Sequence, residues 1–479
     1  MQGQNSTTPP NPPLGNEAVT KSDNIAWSMI VLLGMLAAFA PICTDIYLPA
    51  VPTITREFNS DAVTMQLSLT SSFFGLALGQ LLIGPLSDAY GRKRPLYASL
   101  IVFVLASIGC ALATDATELI IARLFQGISG AGGVVLSRTI ACDLYSGSSL
   151  TRFMGLLMTI NSLAPICGPV LGSAIISFFD WPMMFFFLAL WGAILFMGSR
   201  TKLPETLPVA ERSPHLKSAI VDMVKQLGNK AFLCLVLSMS FIMGGFFGYL
   251  ASSPFIYQVI FSLSPVEYSM LFAGNAIFIT IAANIAGKVS RTIADVSIIK
   301  ISLVIQALAT ILLAVLVIFN IESFIGVVIA LGFYVAMVGS SQTAGFGVVM
   351  SARSGGAGSA SGIFGVMTFI FGAVSSPLVG LMGEHSMVPQ LLCMAVCTVM
   401  SFVCLQVGLK HRRFNPSHEY HGPAAADTAA PAAPATADSA PVAAATESDA
   451  PAAEPDADSV TSVTEAAAAD SAPAAAPSK

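Results

Sequence analysis

The feature that most constrains this chain is a series of long apolar runs that recurs along it. Each run is about 20 residues long, enough for a helix to cross the hydrocarbon core of a bilayer. The runs cover approximately residues 26–48, 63–86, 96–113, 117–141, 153–178, 181–199, 231–256, 266–287, 297–319, 322–349, 357–382 and 387–409. Only 10% of the residues are charged, against about 25% in a soluble domain. We therefore predict an all-α integral membrane protein with twelve transmembrane helices, numbered here as spans 1 to 12.

The charged residues support this count because their sign alternates from loop to loop. Every second loop, and the segment after span 12, is basic: Arg92, Lys93, Arg94, Arg152, Arg200, Lys202, Arg212, Lys217, Lys225, Lys230, Lys288, Arg291, Arg353, Lys410, Arg412 and Arg413. The other loops hold Arg56 and otherwise mainly acids: Glu57, Asp61, Asp115, Asp180, Glu267 and Glu384. Basic loops stay on the cytoplasmic side of a membrane. We therefore expect both termini in the cytoplasm.

A charged, proline-containing segment divides the spans six and six. We predict a disordered cytoplasmic N-terminus (1–24), a first six-helix bundle (25–200), a cytoplasmic linker (201–230), a second six-helix bundle (231–410) and a disordered, Ala/Pro-rich, acidic cytoplasmic tail (411–479). The tail from residue 422 onward holds nine acids and one base, and so polar a composition cannot form a core.

The loop Gly84–Leu96, GPLSDAYGRKRPL, carries the most specific motif. Gly91 can take the positive φ that a tight reversal needs, and Pro95 suits the first turn of a helix. The loop resembles the signature between helices 2 and 3 of the major facilitator superfamily, with matches at Gly84, Leu86, Asp88, Gly91, Arg92, Lys93 and Leu96. Ala89 departs, since the family usually has a base there. The resemblance implies a cytoplasmic latch in which Asp88 lies near Arg92 and the start of span 11; the alternative is an ordinary basic loop.

Span 1 contains an acid, Asp45. An ionised acid inside a membrane costs at least about 2.5 kcal/mol, so it would face a wet cavity or be protonated. The alternative is that Asp45 is solvated at the outer interface, because the helix could end near Leu48. The segment from Asp45 to Pro52 resembles span 1 of the Bcr/CflA drug-exporter group.

Span 4 contains Arg123, a side chain that stays protonated and therefore needs an acceptor or water. Arg123, Gln126, Gly127 and Gly130 loosely resemble the family's fourth-helix motif, R-x-x-Q-G-x-G/S-[small], whose arginine is associated with proton coupling. The alternative is a structural pair with Glu118, which is also our reserve candidate for the proton-carrying acid.

Span 5 contains a Gly-Pro pair, which bends a membrane helix. Gly168, Pro169 and Gly172 resemble the exporters' antiporter motif, G-x-x-x-G-P-x-x-G-G, although Ala164 and Ser173 replace two of its glycines. An ordinary kinked helix is the alternative. The resemblance favours antiport.

Together these resemblances imply a proton-coupled antiporter that exports small, partly apolar drugs, such as chloramphenicol- or bicyclomycin-like compounds, across a bacterial inner membrane. A dedicated metabolite exporter, a proton symporter and a non-transporting receptor or scaffold are the alternatives. We expect no enzyme activity, cofactor, metal or nucleic-acid partner, and we expect a monomer that binds a small-molecule substrate and protons. The candidates for the substrate cavity are Tyr47, Gln126, Tyr249, Tyr257, Asn275 and Gln342.

Overall fold

The computed structural model describes residues 27–145, 147–209, 212, 221, 225–321, 323–354 and 357–413, and its regular elements there are all helical. The first half contains α1 (Trp27–Ala37), α2 (Phe39–Asp45), α3 (Val51–Glu57), α4 (Ala62–Tyr90), α5 (Lys93–Ala111), α6 (Ala116–Leu144), α7 (Gly147–Phe178) and α8 (Pro182–Lys202). The second contains α9 (Lys230–Pro254), α10 (Pro265–Val289), α11 (Asp295–Ile318), α12 (Phe324–Ser351), α13 (Ala357–Leu378) and α14 (Val388–Arg413). The predicted N-terminal segment 1–24 and all but the first residues of the predicted tail 411–479 lie outside the described residues.

The prediction of twelve membrane spans is confirmed. The eleven helices α4 to α14 are long and apolar enough to cross a membrane, and the chain from α1 to α3 forms the twelfth when its bent pair is taken as one span. The bend of 48° falls at Ala38, since Pro41 has no N–H to donate to the carbonyl of Ala37 one turn earlier. A 3-10 turn at Leu48–Ala50 leads into α3, so the helical path continues past Leu48 to Glu57.

The first eight helices and the last six each contain closely packed pairs. In the first set α6 packs along α4 and α5, and α8 packs along α5; in the second, α9 packs along α13 and α14, and α12 packs along α10 and α11. Two further pairs, α4 with α13 and α7 with α10, join the sets. The residues between these two joining pairs are therefore where both halves can contribute to one site.

The two ends of the molecule differ in charge. We call the end that carries residues 91–94 and 200–205 the basic end, and the end that carries Asp61 and Asp115 the acidic end. Asp61 accepts a hydrogen bond from the backbone N–H of Thr64 (2.8 Å), and Asp115 accepts one from that of Glu118 (2.8 Å). The hydrogen bonds from Thr64 hold the pKa of Asp61 below its usual range. These acids thus cap α4 and α6, where the helix dipole favours negative charge.

Glycines allow α4 and α6 to touch backbone to backbone. A Cβ added at Gly127 would collide with the carbonyl of Ser72, and a Cβ at Gly75 would collide with that of Leu124. Small residues permit such close approach between membrane helices. The position of α6 against α4, and hence of every side chain on α6, depends on these contacts.

We therefore expect Gly127→Ala to destabilise the protein by about 1–3 kcal/mol, as overpacking usually does, because a backbone carbonyl cannot swing away. Gly274→Ala on α10 is the matched control, since a Cβ there meets nothing within 4 Å; its effect should stay within about 1 kcal/mol. Thermal unfolding of the two purified variants measures the difference. Equal stability of the two variants would contradict the account of the α4–α6 contact.

Candidate functional site

Arg92 is the centre of an ion-pair network at the basic end, which we call the lock. Its Nη1 pairs with Asp88 and donates to the hydroxyl of Ser87 (2.8 Å), and its Nε donates to Asp143 Oδ2 at the end of α6 (2.9 Å). Burial opposes the charge on Arg92, but the hydrogen bonds and charges of Asp143 and Asp88 outweigh it and raise the pKa. The lock thus joins the ends of α4, α5 and α6.

Two residues that follow α8 complete the lock. The carboxylate of Glu205 accepts hydrogen bonds from the backbone N–H groups of Arg92 (2.8 Å) and Lys93 (3.2 Å). It therefore caps the first turn of α5, although it comes from a distant part of the chain. The hydroxyl of Thr206 donates to Asp143 Oδ2 (2.8 Å). The start of the predicted linker is thus fixed to the predicted latch.

The predicted latch residues differ in how far their positions agree with the expectation. Asp88 and Arg92 meet as expected, Gly91 has the expected positive φ of 89°, and Lys93 lies over the ring of Tyr97, 5.7 Å from its centroid. A Cβ at Gly84 would meet nothing within 4 Å, so packing does not require that glycine. The other expected partner, the start of span 11, adjoins residues 355–356, which lie outside the described part, and stays a prediction.

Arg123 is fully buried in the middle of the first half. Its Nη1 donates to the carbonyl of Cys43 (3.0 Å) and to Gln126 Oε1 (2.8 Å), and its guanidinium lies over the ring of Tyr47, 5.0 Å from the centroid. Gln126 is held in turn by Ser107, to which its Nε2 donates (2.8 Å). Among the described residues, Nε and Nη2 of Arg123 have no hydrogen-bond partner.

The alternative in which Arg123 pairs with Glu118 is wrong. Glu118 lies exposed in the first turn of α6, where its carboxylate accepts hydrogen bonds from the N–H (2.8 Å) and hydroxyl (3.0 Å) of Thr114. These hydrogen bonds from Thr114 hold the Glu118 carboxylate at the start of α6. A carboxylate solvated in this way lacks the burial that our reserve assignment as proton carrier requires.

Asp45 ends α2 and is only 3% exposed, so the alternative of a solvated interfacial acid is also wrong. Its Oδ1 lies 3.0 Å from the hydroxyl of Thr44, which is also 3.0 Å from the carbonyls of Ala40 and Pro41. One hydroxyl hydrogen can serve only one acceptor at a time. The Thr44 hydroxyl can therefore donate to an ionised Asp45 or return to the backbone when Asp45 is protonated.

The glycines predicted in span 5 lie against this acid. A Cβ at Gly168 would come within 3.0 Å of the Asp45 Cβ, and one at Gly172 would collide with the carbonyl of Ile46. Pro169 lies between them inside α7. The motif therefore lets α7 approach the turn that carries Asp45, which gives these residues a packing role beside the acid.

The candidate cavity residues lie on several helices and differ in burial. Tyr47 is fully buried, with its hydroxyl 2.9 Å from that of Ser68. Tyr249 accepts a hydrogen bond from Asn275 Nδ2 (2.8 Å), and both are buried. Tyr257 is fully buried, whereas Gln342 is half-buried on α12.

Asp45 lies beside the second half of the molecule. The 3-10 turn Leu48–Ala50, just after Asp45, contacts α9 and α10 of the second half. The acid therefore lies where α2 meets the second half.

The halves also meet at the acidic end around Gln66 of α4. After Pro254, at the start of the π-helical segment Phe255–Ile260, the N–H of Phe255 donates to the carbonyl of Ser252 and not to that of Ala251, four residues before it. Gln66 Nε2 donates to the Ala251 carbonyl (3.4 Å), and the Ser376 hydroxyl of α13 donates to the Gln66 carbonyl (3.2 Å). Three helices from both halves are thus tied together at this end.

Known proteins share this sequence pattern and fold. Residues 33–377 match the family model described as Major Facilitator Superfamily. An uncharacterized MFS-type transporter of Bacillus subtilis, YdgK, is 36% identical over 379 residues, 78% of this chain and 93% of that protein. A bicyclomycin resistance protein homolog of Haemophilus influenzae is 26% identical over 78% of this chain and 94% of that protein. The crystal structure of a D-xylose-proton symporter has the same fold, with a TM-score of 0.67 at 15% identity, over 80% of this chain and 97% of that one.

Burial decides which acid of the lock matters most for stability. The Asp143 side chain is 19% exposed and that of Asp88 is 55% exposed, while that of Arg92 is 8% exposed. Asp143→Asn should therefore lower the free energy of unfolding by about 2 kcal/mol, the size of a hydrogen bond to a charged group. Asp88→Asn should lower it by about 1 kcal/mol or less, as for a surface ion pair. Thermal or denaturant unfolding of the purified variants compares them, and a larger loss for Asp88→Asn would contradict this ranking.

Proposed function

The chain belongs to the Major Facilitator Superfamily, and we propose that it is a proton-coupled antiporter that exports small, partly apolar drugs by alternating access. As a member it is a multi-pass membrane transporter of small molecules and not an enzyme. Support for drug export comes from the bicyclomycin resistance protein homolog and from a chloramphenicol resistance protein of Pseudomonas aeruginosa, which is 29% identical over 64% of this chain and 73% of that protein. The basic end would face the cytoplasm of a bacterial cell, with the membrane being the inner one, because basic loops remain on that side.

The observation that carries the proposal is the burial of Asp45 beside the contact between the two halves. Antiport requires a group that binds a proton in one conformation and releases it in another. A carboxylate does so when its surroundings alternate between dry and wet, because burial favours the neutral form and water favours the charged one. Asp45 is positioned for such a change, since movement of α7 or α9 and α10 relative to α2 would expose it.

Arg123 carries a permanent positive charge, which would attract Asp45 whenever Asp45 has lost its proton. Its Nη1 donates to the carbonyl of Cys43, two residues before Asp45 on the same helix. Its Nε and Nη2 have no hydrogen-bond partner among the described residues. When Asp45 loses its proton, its negative charge would be drawn toward these free donors. When it is protonated, that attraction disappears, and the turn that carries Asp45 is free to move.

The lock would make the first half move as one body. It ties the basic ends of α4, α5 and α6 to the segment that follows α8, so these helices cannot shift separately. The contacts around Gln66 close the acidic end between the halves. Rocking of the halves would break these contacts and open the site to the opposite side, as alternating access requires.

The proposal predicts that drug binding releases protons and that Asp45 is their source. A panel of small antibiotics that includes chloramphenicol is added to the purified protein in weakly buffered detergent solution, and the pH change is recorded. Wild-type protein should acidify the solution. Asp45→Asn should bind the same drugs without proton release, since its amide imitates the protonated acid permanently.

Glu118→Gln is the matched control, because it removes a carboxylate that the structure places in solvent. It should release protons as wild type does. Undiminished release from Asp45→Asn, or its loss in Glu118→Gln alone, would overturn the assignment of Asp45.

A further inference from the structure

Arg138 lies on α6 with an exposed side chain, although its neighbours Leu136, Ser137, Ile140 and Ala141 are buried. It follows Arg123 by fifteen positions, so it lies about 22 Å further along the helix toward the basic end. The mechanism above gives it no role.

The side of α6 on which Arg138 lies is not the apolar one. The large exposed apolar residues of α6 are Ile121 and Phe125, whose side would face lipid. At about 100° per residue, Arg138 is rotated by roughly 100° from Ile121 and roughly 140° from Phe125, but only by about 60° from Arg123. Around the helix axis, Arg138 therefore lies nearer to the buried Arg123 than to the exposed apolar residues.

Arg138 has no ion-pair or hydrogen-bond partner within the described residues. The carboxylate nearest to it along α6, Asp143, is occupied by Arg92 and Thr206, and Asp88 on α4 is occupied by Arg92 as well. An arginine cannot shed its proton. An exposed positive charge without a partner among the described residues thus lies on the Arg123 side of α6, between the basic end and the centre where Arg123 and Asp45 lie.

We propose that Arg138 binds the anionic group, a carboxylate, sulfonate or phosphate, of molecules that this protein transports. Two parallel N–H groups of its planar guanidinium can donate to two oxygens of such a group. The apolar parts of the molecule would lie along the neighbouring helices. The inference rests on the proposed transport function and extends it, since it adds amphipathic anions to the expected substrates. The same chemistry would also suit the phosphate of a lipid headgroup, so the test has to separate the two.

Two dyes that differ only in one carboxylate provide the probe. Rhodamine 110 has a free carboxylate, and rhodamine 123 is its methyl ester. Binding to the purified full-length protein, reconstituted in phosphatidylcholine nanodiscs, is followed by fluorescence anisotropy. Wild type should bind rhodamine 110 more tightly, and Arg138→Gln should weaken that binding about tenfold while changing the binding of rhodamine 123 less than twofold. Arg138→Lys should recover part of the loss, because it restores the charge without the fork.

Arg200→Gln is the control, since it removes an exposed arginine at the basic end of α8 and should leave both dyes unaffected. A wild type that prefers the ester or binds neither dye would overturn the inference, as would equal effects of Arg138→Gln on the two dyes. An effect of Arg138→Gln that appears only when anionic lipid is added would assign the site to a headgroup and also overturn it. Failure of the antiport proposal is seen separately, as an absence of drug-induced proton release.

Discussion

The burial of the Arg123 guanidinium is the constraint on which the centre of this structure depends. A charge removed from water must be paired or hydrogen-bonded, and breaking such an arrangement is costly. The partners come from several helices: the Cys43 carbonyl from α2, Gln126 from α6 itself and, through Gln126, Ser107 from α5. The rings of Tyr47 and Phe185 cover the guanidinium. One side chain therefore fixes how α2, α5, α6 and α8 meet.

This arrangement brings together motifs that are far apart in the sequence. Arg123 holds the backbone two residues before Asp45, and the glycines of α7 lie against the turn that carries Asp45. The acid is thus buried between a backbone segment that Arg123 holds and the closely packed helix α7. In the proposed cycle this enclosure makes the proton on Asp45 sensitive to small movements between the helices, because each movement changes its access to water.

Local patterns in the sequence predicted the spans and the turn at Gly91, because each depends on neighbouring residues, and the family resemblance implied that Asp88 lies near Arg92. Contacts between distant residues were missed. Asp143 lies 51 positions from Arg92, and Glu205 lies 113 positions from it, so no spacing along one helix could relate them. The alternative pair of Arg123 with Glu118 failed for the opposite reason: the two are close in sequence, but the N-terminal turn of α6 satisfies Glu118 locally. The capping of α5 by Glu205 could have been suspected only from the acid in the Leu203–Pro208 segment.

The central claim is that Asp45 exchanges a proton inside the membrane, and infrared difference spectroscopy tests it most directly. Reconstituted protein is titrated, and the carbonyl band of a protonated carboxylic acid, which is distinct from that of a carboxylate, is followed. We predict a band that disappears as the pH rises, that is absent from Asp45→Asn, and whose titration shifts when drug is added. A titrating, drug-sensitive band that persists in Asp45→Asn would contradict the claim and place the exchanged proton elsewhere.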